Sequence, residues 1–322
     1  MPQPPTPPPP IPEAIGPYRV RELLGKAGQS AVYTADAPGG RVVAIKLFPA
    51  ALSGNPAAVE RFHREMRDLI AVSRHPNLVQ ALDTGQEGDR LYLVMEKVEG
   101  TSLDRVLKAR RPSLSEAFTV MRGICRGLAQ GHQRGLVHRS LTPRNVLVSP
   151  DFATVKVSDL GATGFETAAQ SLTATLGTGE IRLGALYYLA PEIVEGPGAV
   201  DTRADLYSAG VIFHEMLTGR APGPKLGMPS QLVPELSPEV DVVALRCLAR
   251  KPDERYANAG DLLAALERLE ETLRLRTLTE IREAGRLLGG KAETGKRPVL
   301  LYVGLALLVL AALVAVGVFL MR

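Results

Sequence analysis

The chemistry in this chain begins with a run of small residues between two strand patterns. Tyr18 to Leu24 reads as a short strand, Gly25-Lys26-Ala27-Gly28-Gln29-Ser30-Ala31-Val32-Tyr33 follows, and a second strand comes next. Small residues in such a turn let backbone N–H groups approach phosphate oxygens. Glycine-rich turns are common, so this run alone defines no site. Arg41 to Phe48 alternates as a strand and carries Val43-Ala44-Ile45-Lys46. A lysine on a buried strand needs an anionic partner, because an unpaired buried charge is costly. Glu60 and Glu65, on the helical stretch Ala57 to Val72, are the candidates. Val155 to Val157 is a strand running into Ser158-Asp159-Leu160-Gly161. Between these lies His138-Arg139-Ser140-Leu141-Thr142-Pro143-Arg144-Asn145. Ala190-Pro191-Glu192, Asp205 to Gly210 and Arg255 follow.

The elements that hold these groups change along the chain. Val79 to Leu82 and Arg90 to Glu96 read as paired strands joined by the turn Gly85 to Asp89, and after residue 100 helical periodicity dominates, first over Leu114 to Arg134. The 322 residues allow one large domain or two small ones, and 45% hydrophobic with 22% charged residues is the balance of a globular body. Two cysteines, Cys125 and Cys247, exclude a disulfide scaffold and a four-cysteine zinc site, and read as buried small hydrophobes. The net charge is +4, with no run of five like charges, so nucleic acid is not an expected partner.

The two ends differ from the body. Residues 2–12 contain eight prolines and read as a polyproline II tail. No basic, apolar and small-residue succession marks a signal peptide there, which implies a cytoplasmic body. Val299 to Leu320 is apolar all round and carries no charge. As a helix it spans about 33 Å, enough for a hydrocarbon core about 30 Å thick. Arg282, Arg286, Lys291, Lys296 and Arg297 precede it and Arg322 follows. The positive-inside rule then expects a single-pass protein of the inner membrane, body in the cytoplasm and C-terminus outside. Leu262, Leu266, Leu269 and Leu273 mark an amphipathic helix packed on its own domain. Continuation through Leu278, Ile281 and Leu288 needs a phase shift near Arg276, and Gly289-Gly290 end it. A short dimerising coil, and with it a homodimer, is the alternative reading of this stretch.

In order and spacing the motifs resemble a bacterial Hanks-type serine/threonine protein kinase, from about Tyr18 to about Leu269. The resemblance implies an α+β, two-lobed fold, with a small β-rich N-lobe and a larger helical C-lobe, plus the one C-terminal transmembrane helix. The expected organisation is a tail over 1–17, a kinase-like domain over 18–270, a juxtamembrane helix and linker over 271–298, and the span over 299–320. It further implies ATP between the lobes. Leu24, Gly25, Gly28 and Val32 would cover the nucleotide, and Ala44 would touch adenine. Lys46 would hold phosphates and pair with Glu65. Met95 to Val98, with Glu96 and Val98 as contacts, would form the hinge. Asn145 and Asp159 would hold Mg²⁺, for which an amide oxygen and a carboxylate are suitable ligands. Asp205 would brace the loop around Ser140, and His138 would pack in the core. Leu160 stands in place of the usual Phe and keeps an apolar packing group.

Several positions depart from the family. The proton-accepting aspartate is Ser140, the phosphoryl-neutralising lysine is Thr142, and the threonine of a Gly-Thr pair is Ala185. A serine hydroxyl is a very poor proton acceptor at neutral pH, and a positioned general base contributes roughly 10²–10⁴-fold. Ala27 and Ser30 replace two glycines of the glycine-rich loop, which implies weakened ATP affinity. Gly219 to Val242 is proline-rich, where active relatives usually build a substrate-docking helix. The first expectation is a membrane-anchored pseudokinase that binds ATP and Mg²⁺ and serves as a scaffold or allosteric regulator in signalling, with an unidentified protein partner. The alternatives are a slow but active serine/threonine kinase, with Ser171, Thr173, Thr175 and Thr178 as candidate phosphorylation sites, and an interaction module that binds no nucleotide.

Overall fold

The computed structural model describes residues 11–27, 30–50, 56–161, 186–196, 200–220, 223 and 226–289. Its N-terminal half is a six-stranded antiparallel sheet in the order β1-β2-β3-β4-β6-β5. The strands are β1 (Ala14–Ile15), β2 (Tyr18–Ala27), β3 (Ser30–Asp36), β4 (Val42–Leu47), β5 (Ala81–Glu87) and β6 (Arg90–Glu96). Helix α1 (Pro56–Val72) packs beside it through Phe62, Met66, Leu69 and Val72, spaced at helical intervals on one face. Strand β1 falls inside the residues expected to be tail. Its Ile15 is 1% exposed, because pairing with β2 carries it into the sheet's own apolar cluster. The strand expected over Val79 to Leu82 starts at Ala81 and runs to Glu87, since its pairing with β6 continues to the turn.

Alternation along the sheet sorts its two faces. Tyr33, Val43, Ile45 and Leu47 belong to a cluster closed within the sheet layer. Residues one place out of phase point the other way. Ala44 and Lys46 are two apart on β4, and Val32 of β3 lies directly across from Lys46, so these three share the opposite face.

The C-terminal half is helical around a small sheet, β7 (Thr101–Ser102), β8 (Val146–Val148) and β9 (Val155–Val157). Helices α2 (Leu103–Ala109), α3 (Leu114–His132), α4 (Pro191–Val194), α5 (Arg203–Thr218), α6 (Pro229–Leu232), α7 (Glu239–Cys247) and α8 (Ala259–Gly289) complete the described part. Ser113 and Glu116 start α3 with a reciprocal capping box, which satisfies backbone donors left open at a helix start. Helix α5 is buried on all sides and ends at Gly219 in the left-handed region, φ 65°. Leu160, 2% exposed, packs so closely on α3 that a Cβ at Gly131 would lie 2.5 Å from its Cδ2. The kinase-like, two-lobed arrangement expected from the sequence is therefore present.

Two expectations at the C-terminal end change. The boundary placed at residue 270 falls inside α8, which runs on without interruption to Gly289. Leu262, Leu266 and Leu269 are buried, Leu273 packs on the core edge, and Arg122 of α3 pairs with Glu270. Past that point no phase shift occurs, and Leu275, Leu278 and Ile281 are exposed. Among the described residues no helix is long and apolar enough to cross a membrane. Residues 299–320, where the span is expected, lie outside the described residues, as do Gly28, Ala185 and the hydroxyl residues Ser171 to Thr178.

Helix α5 approaches α7 through Gly210, where an added Cβ would meet Cys247 Cβ at 2.4 Å, and both cysteines are buried and free. Overpacking of this kind costs about 1–3 kcal/mol. Gly210→Ala is expected to lower the urea midpoint accordingly with an unchanged denaturant slope.

Candidate active site

Lys46 is 9% exposed, and its ammonium crosses to the other half of the molecule. Nζ lies 2.8 Å from Oδ1 of Asp159, the residue that follows β9 and Ser158. The expected partner, Glu65, instead accepts a hydrogen bond from Arg61 Nε at 2.6 Å, one helical turn away on α1. Such i, i+4 spacing makes that pair local and easy to form. Burial alone would raise the Asp159 pKa, but the Lys46 ammonium, followed by hydrogen bonds, brings it down to about 2. Asp159 sits at φ 60°, a left-handed conformation that non-glycine residues seldom adopt. Ser158 Oγ donates to its Oδ2 at 3.1 Å.

Asn145 ends a 3₁₀ turn, Pro143–Asn145, whose start is capped by Thr142. Its Nδ2 donates to Asp159 Oδ2 at 3.1 Å. Its Oδ1 accepts from Thr142 N at 3.2 Å and from Thr142 Oγ1 at 3.0 Å. An amide oxygen and a carboxylate are the donor types that Mg²⁺ takes. Among the described residues no three His, Cys, Asp or Glu side chains converge on a metal position, so an ion here would rest on Asn145 and Asp159 with phosphate and water.

The loop between α3 and β8 is fixed from below by Asp205 of α5. This fully buried carboxylate accepts from the backbone N–H groups of His138 and Arg139, each at 2.8 Å, and contacts His132 Nε2 at 2.8 Å. Arg139 takes φ 63°, so the loop turns sharply just before Ser140. Ser140 Oγ lies 3.5 Å from His138 Nδ1, and His138 is buried, as expected for a packing residue. Two carboxylates stand in this cluster. Asp205 holds the loop backbone, and Asp159 holds Lys46, Asn145 and Ser158.

The inter-lobe connection differs in one respect from its expected use. Glu96 Oε1 accepts from Lys156 Nζ at 2.7 Å and from Gln80 N at 2.8 Å, so this side chain ties the connection to β9. Val98 packs on the large core, and Leu24 is exposed at the edge of β2, next to Gly25 at a register shift. Lys156 was not singled out from sequence, although alternation in Val155-Lys156-Val157 already placed it opposite two buried valines. The segment Ala190-Pro191-Glu192 is anchored by Arg255, whose Nη atoms reach both Glu192 oxygens at 2.6 and 2.8 Å.

The sequence matches the protein kinase domain family over residues 18–280. Serine/threonine-protein kinase PknB of Mycolicibacterium smegmatis is 34% identical over 275 residues, covering 79% of this chain and 43% of that protein. The probable serine/threonine-protein kinase SCO3848 of Streptomyces coelicolor is 34% identical over 273 residues, covering 78% and 40%. The crystal structure of the Mycobacterium tuberculosis PknI kinase domain superposes with a TM-score of 0.63 at 24% identity, covering 80% of this chain and 97% of that one. The chain belongs to the protein kinase domain family. It spans about two-fifths of the length of the curated relatives it matches.

A second buried pair lies where the chain re-enters the described fold. Tyr188 donates to Glu215 of α5, and Ser208 Oγ donates to the Tyr188 carbonyl at 2.7 Å. Burial pushes the Glu215 carboxyl up to about 7, against the hydrogen bond from Tyr188, and burial likewise raises the phenol. A carboxyl whose folded pKa is raised contributes stability that is complete below its unfolded pKa of 4.5 and is lost as pH climbs through about 7. Glu215→Gln is therefore expected to flatten the pH dependence of the urea midpoint between those limits. A slope as steep as that of the unaltered chain would refute this origin.

Proposed function

We propose that this chain is a membrane-tethered, nucleotide-binding member of the protein kinase family whose phosphoryl-transfer step is impaired and which acts through an unidentified protein partner. The observation that carries the proposal is the pairing of a preserved frame with altered chemical groups. Asp205 still holds the loop backbone, and Lys46 still stands in the cleft, paired with Asp159 where Glu65 was expected. The loop presents Ser140 where the family places its proton acceptor, and the Thr142 hydroxyl is spent on Asn145.

In the family's reaction an alcohol oxygen bonds to the γ-phosphorus of ATP, the bond from that phosphorus to ADP breaks, and the alcohol proton passes to a carboxylate. Ser140 has no charge with which to orient the alcohol and accepts a proton poorly. Val32, Ala44 and Lys46 share one sheet face, giving an apolar wall beside a single ammonium, which suits a base next to phosphates. Mg²⁺ would neutralise phosphate charge only where it displaced hydrogen bonds that Asn145 and Asp159 already hold. The apolar run 299–320 supports a single span with the folded part on the cytoplasmic side of the inner membrane.

A second reading is favoured by the relatives, which are named as serine/threonine kinases. Positioning supplies much of kinase catalysis, so slow transfer to a protein hydroxyl is chemically allowed. The two readings separate on the full chain, with detergent covering its apolar end. Millimolar ATP at micromolar affinity adds about 4 kcal/mol to stability, seen as a raised melting temperature. Phosphate transfer to itself or to a basic protein is expected to lie far below one turnover per second. Turnover near that rate, abolished by Lys46→Ala, overturns the impaired-transfer reading. Restoring Ser140→Asp, Thr142→Lys and Ala185→Thr together is expected to raise transfer roughly 10²-fold or more.

A further inference from the structure

Three oxygens are available to a metal at Asn145 and Asp159, and each has two in-plane lone pairs. Of these six positions, four already receive a hydrogen bond outright, and a fifth shares the Ser158 hydroxyl proton with the Asn145 carbonyl. Asn145 Oδ1 takes Thr142 N and Thr142 Oγ1, Asp159 Oδ2 takes Asn145 Nδ2 and Ser158 Oγ, and Asp159 Oδ1 takes Lys46 Nζ. The Lys46 bond is a cation contact, so Asp159 also has its charge matched from within the chain.

The Thr142 contribution is the unusual one, because both of its donors converge on one oxygen. Thr142 stands three residues before Asn145, and the turn between them starts with Pro143, whose ring fixes φ. The Thr142 hydroxyl also accepts from Arg144 N at 3.3 Å, which fixes the orientation of its own proton toward Asn145. Mg²⁺ loses water reluctantly and needs near-octahedral oxygen ligands, so it competes poorly for an oxygen already holding two donors.

We propose that Thr142 is a latch that withholds the Asn145 amide oxygen from divalent metal, so that this cleft takes ATP with little dependence on Mg²⁺. The proposal rests on the nucleotide-binding reading above. Thr142 acts through Asn145, so it is a positioning residue. The Lys46 ammonium beside Asp159 supplies positive charge in the cleft without an added ion.

Calorimetric titration of the full chain in detergent with ATP, once with excess Mg²⁺ and once with EDTA, tests this. The affinity ratio between the two conditions is expected to stay within about threefold for the unaltered chain. Thr142→Val removes one of the two bonds on the amide oxygen, and one hydrogen bond is worth a factor of roughly two to ten. That variant is expected to widen the ratio toward tenfold in favour of Mg²⁺, and Thr142→Ser, which keeps the hydroxyl, is expected to return it. Melting curves of each variant check folding. Should Thr142→Val not fold, Mn²⁺ titrated into the ATP-loaded unaltered chain gives an independent reading. Affinity no tighter than for ATP alone supports the latch, and tenfold tighter binding overturns it. A ratio of tenfold or more in the unaltered chain, or an unchanged ratio in Thr142→Val, also overturns the latch while leaving nucleotide binding intact. A folded chain that binds ATP in neither condition overturns the nucleotide reading, and the latch with it.

Discussion

A lysine walled in by a sheet must find a negative charge within a few ångströms, and in this molecule that charge comes from the other lobe. The Lys46–Asp159 contact, like that of Glu96 with Lys156, joins the N-terminal sheet to the helical half in electrostatic terms. It sets what surrounds it. Asp159 stays ionised to low pH because the ammonium stands beside it, and Asn145 and Ser158 orient on the same carboxylate. Glu65, relieved of that duty, pairs with Arg61 on its own helix. Lys46 and Asp159 therefore balance each other's charge.

Below this contact Asp205 holds the loop backbone while the loop's chemical groups differ from those of the family. Asp205 is buried, and the backbone groups it holds would be costly to leave unpaired there. That requirement concerns folding, and it persists whatever the loop does chemically. Ser140 and Thr142 carry no such structural demand for charge. A hydroxyl fits where a carboxylate or an ammonium would, and Thr142 has gained a structural task by capping the turn to Asn145. Preserved backbone and altered chemistry are thus compatible in one loop.

The C-terminal helix shows the limits of periodicity. Leu262 to Leu269 form a buried stripe, with Leu273 at its edge, because α3 lies against them. Beyond Leu273 the helix touches the body through the polar contacts of Arg276 with Ser237 and Glu239, and Leu275, Leu278 and Ile281 are exposed. A stripe on a helix says which face is apolar. Whether that face is covered depends on what the fold brings beside it.

Motif order in the sequence was enough to point to the family, with the two lobes that the resemblance implies, and to mark the altered residues Ser140 and Thr142, whereas the sheet register put Val32 across from Lys46. The motifs are local properties, written in residue type and spacing. Tertiary structure decided the partners. Two carboxylates were within reach of a sequence argument for Lys46, both on α1, and the ammonium took a third that lies 113 residues away. The Glu96–Lys156 and Tyr188–Glu215 contacts and the convergence of Thr142 on Asn145 belong to the same class. Ion pairs and hydrogen bonds act over about 3 Å, and only the packed chain sets which of many equivalent charges falls within that distance.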